Sequence, residues 1–430
     1  MTQPLKIGIA GLGTVGAGVV KLLAEHGRLL ALRGGRPLKL VAVSARSKAK
    51  KRDIDLSKVR WERDPLALAT APDIDVVIEL IGGSSGVARK LVQMALRQGK
   101  HVITANKALL AHHGAELAAL AEKKGKALAF EAAVAGGIPV IKALREGLVG
   151  NRVSRLYGIL NGTCNYILTT MRETGRDFGT VLAEAQAAGY AEADPTFDVD
   201  GIDAAHKLAV LTGAAFGTKV NFDGIHVEGI RRVTAADIQF AEELGYRIKL
   251  LGLARKTPYG IEQRVHPCMV SLKAPIAHIE GVFNAVVVEG DFVGTTMFQG
   301  RGAGQGPTAS AVVADLVDVA RGHLMPASVV PADRLADTKV SPMGRHFGAY
   351  YMRLTVQDRP GVIAAISGIL AKDRISVEGM LQRGRSQSGE VPVVITTHET
   401  EEAAMQRAVA RISKLKAVAE EPCIIRIEQF

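Results

Sequence analysis

Apolar residues fall into three different patterns along this chain. In the first third, short and largely apolar runs at 5–10, 38–43, 75–81, 100–103 and 127–130 have the length of strands buried on both faces. Val19, Val20, Leu22 and Leu23 instead follow helical spacing directly after the first run. Buried strands alternating with helices predict an open parallel sheet. Beyond residue 150 the pattern changes. Residues 156–160 and 285–289 read as antiparallel strands and 181–188 and 204–211 as helices, which predicts an α+β region. Residues 308–321, placed after Gly304 and Gly306, have the spacing of a helix that returns to the first region. Pro326, Pro331 and Pro342 then punctuate a linker. The third pattern is a strand at 350–356, a helix at 363–371, strands at 376–382 and 391–396, a helix at 401–415 and a strand at 424–427, in the order βαββαβ.

Composition narrows the function. The 430 residues suffice for two to four domains with full cores. The formal charge is +11, but aromatic residues make up 4% and no basic stretch interleaves with aromatic platforms, so small anionic ligands suit the surplus better than nucleic acid. Cys164, Cys268 and Cys423 are widely spaced and odd in number, which supports neither a disulfide framework nor a zinc site and points to a reducing cytoplasm. The opening M-T-Q-P-L leads straight into a strand without a secretory pattern, and no apolar run is long enough for a membrane span.

The first strand runs into Gly11-Leu12-Gly13-Thr14-Val15-Gly16 and then a helix, the context in which G-x-G-x-x-G binds a dinucleotide. Gly11 permits the tight turn, Gly13 lets backbone approach a pyrophosphate, and Gly16 lets the helix pack on the strand. The second strand lacks the usual terminal carboxylate and continues Ser44-Ala45-Arg46-Ser47-Lys48, so Arg46 is placed to meet a 2′-phosphate. NADP is therefore expected, with NAD left open. Gly82 and Ser84 after the third strand, and Thr104 and Lys107 after the fourth, fall at the carboxyl edge where such sheets bind ligands, and Gly304 is expected near the cofactor as well.

Residues 189–207, G-Y-A-E-A-D-P-T-F-D-V-D-G-I-D-A-A-H-K, concentrate carboxylates before one lysine. Asp203 and Lys207 are four apart and share a helix face, while Glu192 and Asp198 lie in irregular chain able to line a pocket. A solvated acidic loop is the competing reading. Asp194 before Pro195 reads as a turn cap, and Asp200 as a cap of the following helix.

The glycine fingerprint, Thr104-Ala105-Asn106-Lys107, the segment 131–139, Ile159-Leu160-Asn161-Gly162-Thr163 and the acidic stretch together resemble homoserine dehydrogenase over residues 1 to about 325. The resemblance implies interconversion of L-homoserine and L-aspartate 4-semialdehyde, in threonine, methionine and isoleucine biosynthesis. It assigns Lys207 as acid/base, with Lys107 sharing the work and Asp203 orienting Lys207. It assigns Glu192 to the substrate amino group, with Asp198, Asp203, Thr163 and Tyr190 completing the substrate wall. Glu131, Val134, Gly136 and Ile138 match a segment whose backbone carbonyls hold sodium in relatives. A threonine is usual at position 164, so Cys164 reads as packing, not as a nucleophile. The βαββαβ tail with Asp358-Arg359-Pro360-Gly361 resembles an ACT domain, which implies an amino-acid effector, threonine first, and a homodimer or homotetramer.

The expected organisation is α/β: a Rossmann-type NADP-binding domain at 1–133, an α+β catalytic and dimerisation domain at 134–325 with helix 308–321 packing back, a linker at 326–348, and a ferredoxin-like ACT domain at 349–430. No aspartokinase-like partner domain is visible. The alternatives are an inactive amino-acid-sensing protein on the same fold, or an NADP enzyme acting on another semialdehyde.

Overall fold

Uninterrupted apolar runs build the sheet that positions the nucleotide motif. In the computed structural model, which describes residues 3–383 and 389–430, the strands lie in the order Arg60–Glu62, Leu38–Ser44, Leu5–Ala10, Val76–Glu79, His101–Thr104, Leu128–Ala129. All neighbouring pairs are parallel. The first two residues of the M-T-Q-P-L opening lie outside the described residues. Ile7, Ile9, Val43, Val76, Ile78 and Ile103 are buried between the flanking helices, which is why these strands carry no polar alternation. Chain order reverses between Leu5–Ala10 and Val76–Glu79, the switch point at which ligands of such sheets bind.

The helix Gln305–Arg321 buries Ala309, Val312 and Leu316 in the same core as Val19 of the helix Thr14–Glu25. Gly18 makes this approach possible, because a Cβ there would stand 2.7 Å from the Gln305 side chain. The strand expected at 127–130 shortens to Leu128–Ala129 and gives way to a 3₁₀ turn, Glu131–Ala133. The Glu131 N–H donates to the Asp315 carboxylate at 2.9 Å, a partner outside the sheet that ends the ladder.

The chain divides into two units. The first comprises Met1–Leu160, Ala205–Ile225 and Phe283–Thr338. Besides the parallel sheet it holds the antiparallel strands Val153–Ile159, Phe283–Gly290 and Gly294–Arg301. The second comprises Asn161–Ala204, His226–Val282 and Lys339–Phe430. The stretch 134–325, expected as one domain, is thus shared between the units.

In the second unit the strands Tyr246–Thr257 and Gly260–Ser271 form a hairpin. Gly260–Ser271 pairs in parallel with Cys423–Glu428, which continues through Phe347–Gln357 and Glu390–Thr397 to Val377–Gln382. The βαββαβ module therefore shares its sheet with the hairpin. Tyr350, Met352, Ile366, Leu370, Met405 and Ala408 fill its own core.

The expected linker is not free chain. Ala336 donates to the Gly217 carbonyl, Ile261 to the Lys339 carbonyl and Ser341 to the Ile261 carbonyl, and the next strand already begins at Phe347. Satisfying these backbone groups fixes the segment in place. Among the described residues no helix is long and apolar enough to cross a membrane.

Candidate functional site

The glycine turn is shaped by close approach. A Cβ at Gly11, whose φ is +102°, would lie 2.4 Å from the Leu80 carbonyl oxygen, and one at Gly16 would lie 2.0 Å from that of Gly11. Gly13, in contrast, has nothing within 4 Å of such a Cβ, and with Thr14 it is exposed at the start of the helix Thr14–Glu25. Open space at unpaired helix N–H groups suits a pyrophosphate, so the residues fit a dinucleotide. Val15 is half-buried behind them.

The strand Leu38–Ser44 delivers Arg46 to the surface. Arg52, a few residues further on, staples that loop. Its Nε donates to the Leu12 carbonyl inside the glycine turn, and its terminal nitrogens donate to the Lys50 and Ser47 carbonyls, all at 2.9 Å. Its guanidinium also covers the Trp61 ring.

A second set of buried polar groups orders the loop carrying Gly82 and Ser84. The Glu79 carboxylate accepts from the Ile81 and Gly82 N–H groups at 2.7 and 3.0 Å and from the Thr104 hydroxyl at 2.6 Å. Thr104 Oγ in turn accepts the Asn106 N–H, while the Asn106 amide donates to the Gly83 carbonyl and its oxygen caps the helix Lys107–Lys123 through Leu109. Lys107 stands half-buried at the first position of that helix. Sequence patterns missed Glu79 and Asn106. An acidic residue ending an otherwise fully buried strand was the available signal. Gly304, with φ at +117°, precedes the helix Gln305–Arg321.

The helix Ile202–Phe216 carries Asp203 and Lys207, as the spacing implies. Lys207 is buried to 9% exposure, and its ammonium donates to the Leu160 carbonyl at 2.7 Å. Within the second unit, Asn161 collects the acidic groups: its amide nitrogen donates to Asp198 and to Asp203, each at 2.8 Å. Its oxygen meanwhile caps the helix Gly162–Thr174 by accepting from the Cys164 N–H. One buried amide therefore locks two carboxylates that are distant in sequence, a role that only the folded chain reveals.

Glu192 is exposed. The Thr163 hydroxyl donates to the Tyr190 carbonyl, and the Tyr190 ring packs against Tyr166. Asp194 caps its turn through Thr196, whose side-chain and backbone hydrogen bonds hold the carboxyl below its ordinary range. The Asp200 carboxylate pairs with Arg231, whose guanidinium approaches from another segment. Cys164 is fully buried, with its thiol on the Asp198 carbonyl, as a packing residue would be.

At the segment expected to hold a cation, Ala135 and Gly136 both have left-handed backbone, φ +55° and +51°. A Cβ at Gly136 would sit 2.4 Å from the Gly302 carbonyl oxygen. The Glu131 carboxylate is already committed to the N–H groups of Ile141 and Lys142, so this residue has only its carbonyl to offer. Burial, then Asp315, pushes the Glu131 carboxyl up to about 7. A tightly curved loop with oxygen donors fits a hard monovalent cation.

His266, Cys268 and Glu428 also bring ligand atoms within 4.8 Å of one another. Arg264 occupies this cluster, donating to His266 Nε2 at 2.7 Å and to Glu428. His266 Nδ1, 2.9 Å from the Pro267 carbonyl, must then carry the ring proton. A permanent cation in the cluster and an occupied imidazole make it a buried ion network, unsuited to a metal.

Residues 139–317 match the family model for homoserine dehydrogenase, residues 11–131 that for the homoserine dehydrogenase NAD-binding domain, and residues 350–417 that for the ACT domain. The chain is 48% identical to a homoserine dehydrogenase of Pseudomonas aeruginosa, with all of both chains covered. It is similar to the crystal structure of a homoserine dehydrogenase from Thiobacillus denitrificans, with a TM-score of 0.94, 48% identity and 99% of each chain covered. A hyperthermophilic archaeal homoserine dehydrogenase in complex with NADPH matches 74% of this chain and 97% of its own, with a TM-score of 0.64 and 28% identity. The nicotinamide cradle, the acidic segment and the C-terminal module thus belong to one oxidoreductase, and the chain is a member of the homoserine dehydrogenase family.

Proposed function

We propose that the chain interconverts L-homoserine and L-aspartate 4-semialdehyde with NADP in preference to NAD, with Lys207 as acid/base. The observation that carries this reading is the pair of neighbours Leu160 and Asn161. The first orients the Lys207 ammonium, and the second gathers Asp198 and Asp203. A bound nicotinamide supplies or accepts the hydride. As charge builds on the aldehyde oxygen, an ammonium can donate its proton and stabilise the alkoxide. Lys207 is buried, so its N–H is directed and poorly screened. Lys107, at its helix start, is the second cation assigned to this work.

The carboxylates of Glu192, Asp198 and Asp203 are assigned to the substrate ammonium, with Thr163 and Tyr190 beside them. Gly11, Gly13, Thr14, Val15 and Gly16 are assigned to the dinucleotide, Arg46 to its 2′-phosphate, and Gly82, Ser84, Thr104 and Gly304 to the remaining contacts. The carbonyls of Glu131, Val134, Gly136 and Ile138 are assigned to sodium.

The C-terminal module is assigned to feedback by threonine, a product of the biosynthesis of threonine, methionine and isoleucine. The strand Val377–Gln382 ends the strand order of its sheet among the described residues, which supports pairing with a second copy in a homodimer or homotetramer. The three cysteines, all free thiols, suit a reducing cytoplasm.

The test follows NADPH consumption with aspartate semialdehyde. Lys207→Ala is expected to lower kcat roughly 1,000-fold, within the usual span of general acid/base catalysis. A wild type without turnover ends the enzyme reading, whereas a fully active Lys207→Ala ends only the role given to that lysine.

A further inference from the structure

Five consecutive residues, 228–232, link the acidic segment to the C-terminal module. On the acidic side, the Ile230 N–H donates to the Val199 carbonyl at 2.8 Å. Arg231 Nε donates to Asp200, and a terminal nitrogen reaches the Thr196 hydroxyl at 3.3 Å. Gly229 lies so close that a Cβ would stand 2.2 Å from the Val199 carbonyl oxygen and 2.5 Å from the Asp200 Cα. No side chain fits there, so displacement of this backbone is passed directly to residues 199–200.

On the other side, Arg426 grips Glu228 with two hydrogen bonds of 2.9 Å. The same buried guanidinium donates to both oxygens of Glu402, at 2.8 and 2.6 Å, at the start of the helix Glu402–Ile412. Glu402 also accepts from Tyr350 in the core of the module. Arg232 meets Glu421 at 3.2 Å. Adjacent residues of one strap are thus tied to opposite partners. The strap and the helix Glu402–Ile412 line a cleft of about 780 Å³, which leaves room for the strap to shift.

We propose that the strap 228–232 carries the state of the C-terminal module to the acidic segment, with Arg231 as a positioning residue for the carboxylates that hold substrate. This inference rests on the assignment of residues 189–207 to substrate binding. Arg231 touches Asp200 and Thr196, neither assigned to substrate, so it acts by fixing the short helix Thr196–Val199, which carries Asp198. Glu228 is the input, because it alone of the strap engages the arginine that also holds Glu402.

The experiment uses the full chain and three variants, with unfolding midpoints measured alongside. Arg231→Gln is expected to raise KM for homoserine about fivefold, the scale of a partly exposed ion pair, with kcat and KM for NADP changed less than about twofold. Arg231→Lys should recover part of that loss. Glu228→Gln should raise the L-threonine concentration needed for half-inhibition about fivefold. A homoserine KM unchanged in Arg231→Gln, or one that moves only in step with kcat and cofactor KM, overturns the positioning role. A threonine response in Glu228→Gln equal to wild type overturns the coupling. Should threonine fail to inhibit wild type, threonine regulation is wrong, and the coupling is read from homoserine KM in Glu228→Gln, where an unchanged value overturns it. A wild type inactive on homoserine would instead refute the assigned reaction.

Discussion

The cofactor edge and the acidic segment hold polar groups in place by opposite means. At the cofactor edge, Glu79, Thr104 and Asn106 are buried, and their partners lie within the strand ends and loops of one sheet. Segment 189–201 is largely exposed and is fixed by outside groups: Asn161 at one point, Ile230 and Arg231 at another. The difference teaches that a dinucleotide cradle is mostly backbone geometry, stabilised at its source, whereas an acidic loop needs external clamps to overcome conformational entropy and mutual repulsion of its carboxylates.

That contrast can be broken most severely at Asn161. Asn161→Ala removes the donor shared by Asp198 and Asp203, and kcat/KM for homoserine should fall roughly 100-fold, as expected for misplaced binding groups. The lost cap should also lower stability by about 1 kcal/mol, read by denaturant titration. NADPH affinity should stay near wild type, and equal loss for both ligands would erase the distinction between the regions.

Glu79→Ala strikes the other side. It leaves the Ile81 and Gly82 N–H groups and the Thr104 hydroxyl without their acceptor, and KM for NADPH should rise about tenfold while KM for homoserine holds. Steady-state kinetics in both substrates decides. Arg46→Ala probes the cradle more finely: NADPH binding should weaken roughly tenfold and NADH binding less than twofold, measured by fluorescence titration. Equal losses would remove Arg46 from the 2′-phosphate.

The smallest expected effect concerns the opposite edge of the same sheet. The His101 Nδ1 accepts the Ala127 N–H at 3.1 Å, and burial, then Lys126 and Arg36, push the imidazole down to about 4. With an unfolded value near 6.5, the unfolded chain binds more protons between these limits, so the neutral ring's contribution is complete above pH 6.5 and is lost as pH falls towards 4. In His101→Asn the acid-side decline of the melting temperature should be shallower. An unchanged slope would show that other groups govern acid stability.

Legibility followed the range of the interactions. Gly13 and Gly16 could be read because each acts within a turn only six residues long, and the Asp203–Lys207 spacing because one helix sets it, whereas the Leu80 carbonyl that crowds Gly11 lies outside that turn. The strand at 127–130 was overestimated because its end is dictated by Asp315, far along the chain. The hydrogen bonds that hold the segment 326–348 could not be read, because prolines do not reveal that neighbouring carbonyls and N–H groups are paired with Gly217 and Ile261. The ion pair of Asp200 with Arg231 was not legible either, because the guanidinium comes from another segment.

The sequence by itself determined the parallel sheet, the dinucleotide turn, the βαββαβ module and the family, since apolar periodicity and glycine spacing are local consequences of backbone geometry. Only the tertiary structure decided that Asn161 binds two carboxylates, that Arg52 staples the basic loop, and that Arg426 holds Glu402 and Glu228 at once. Such hydrogen bonds join residues tens to hundreds of positions apart, and their directions exist only once the cores have fixed the elements that carry them.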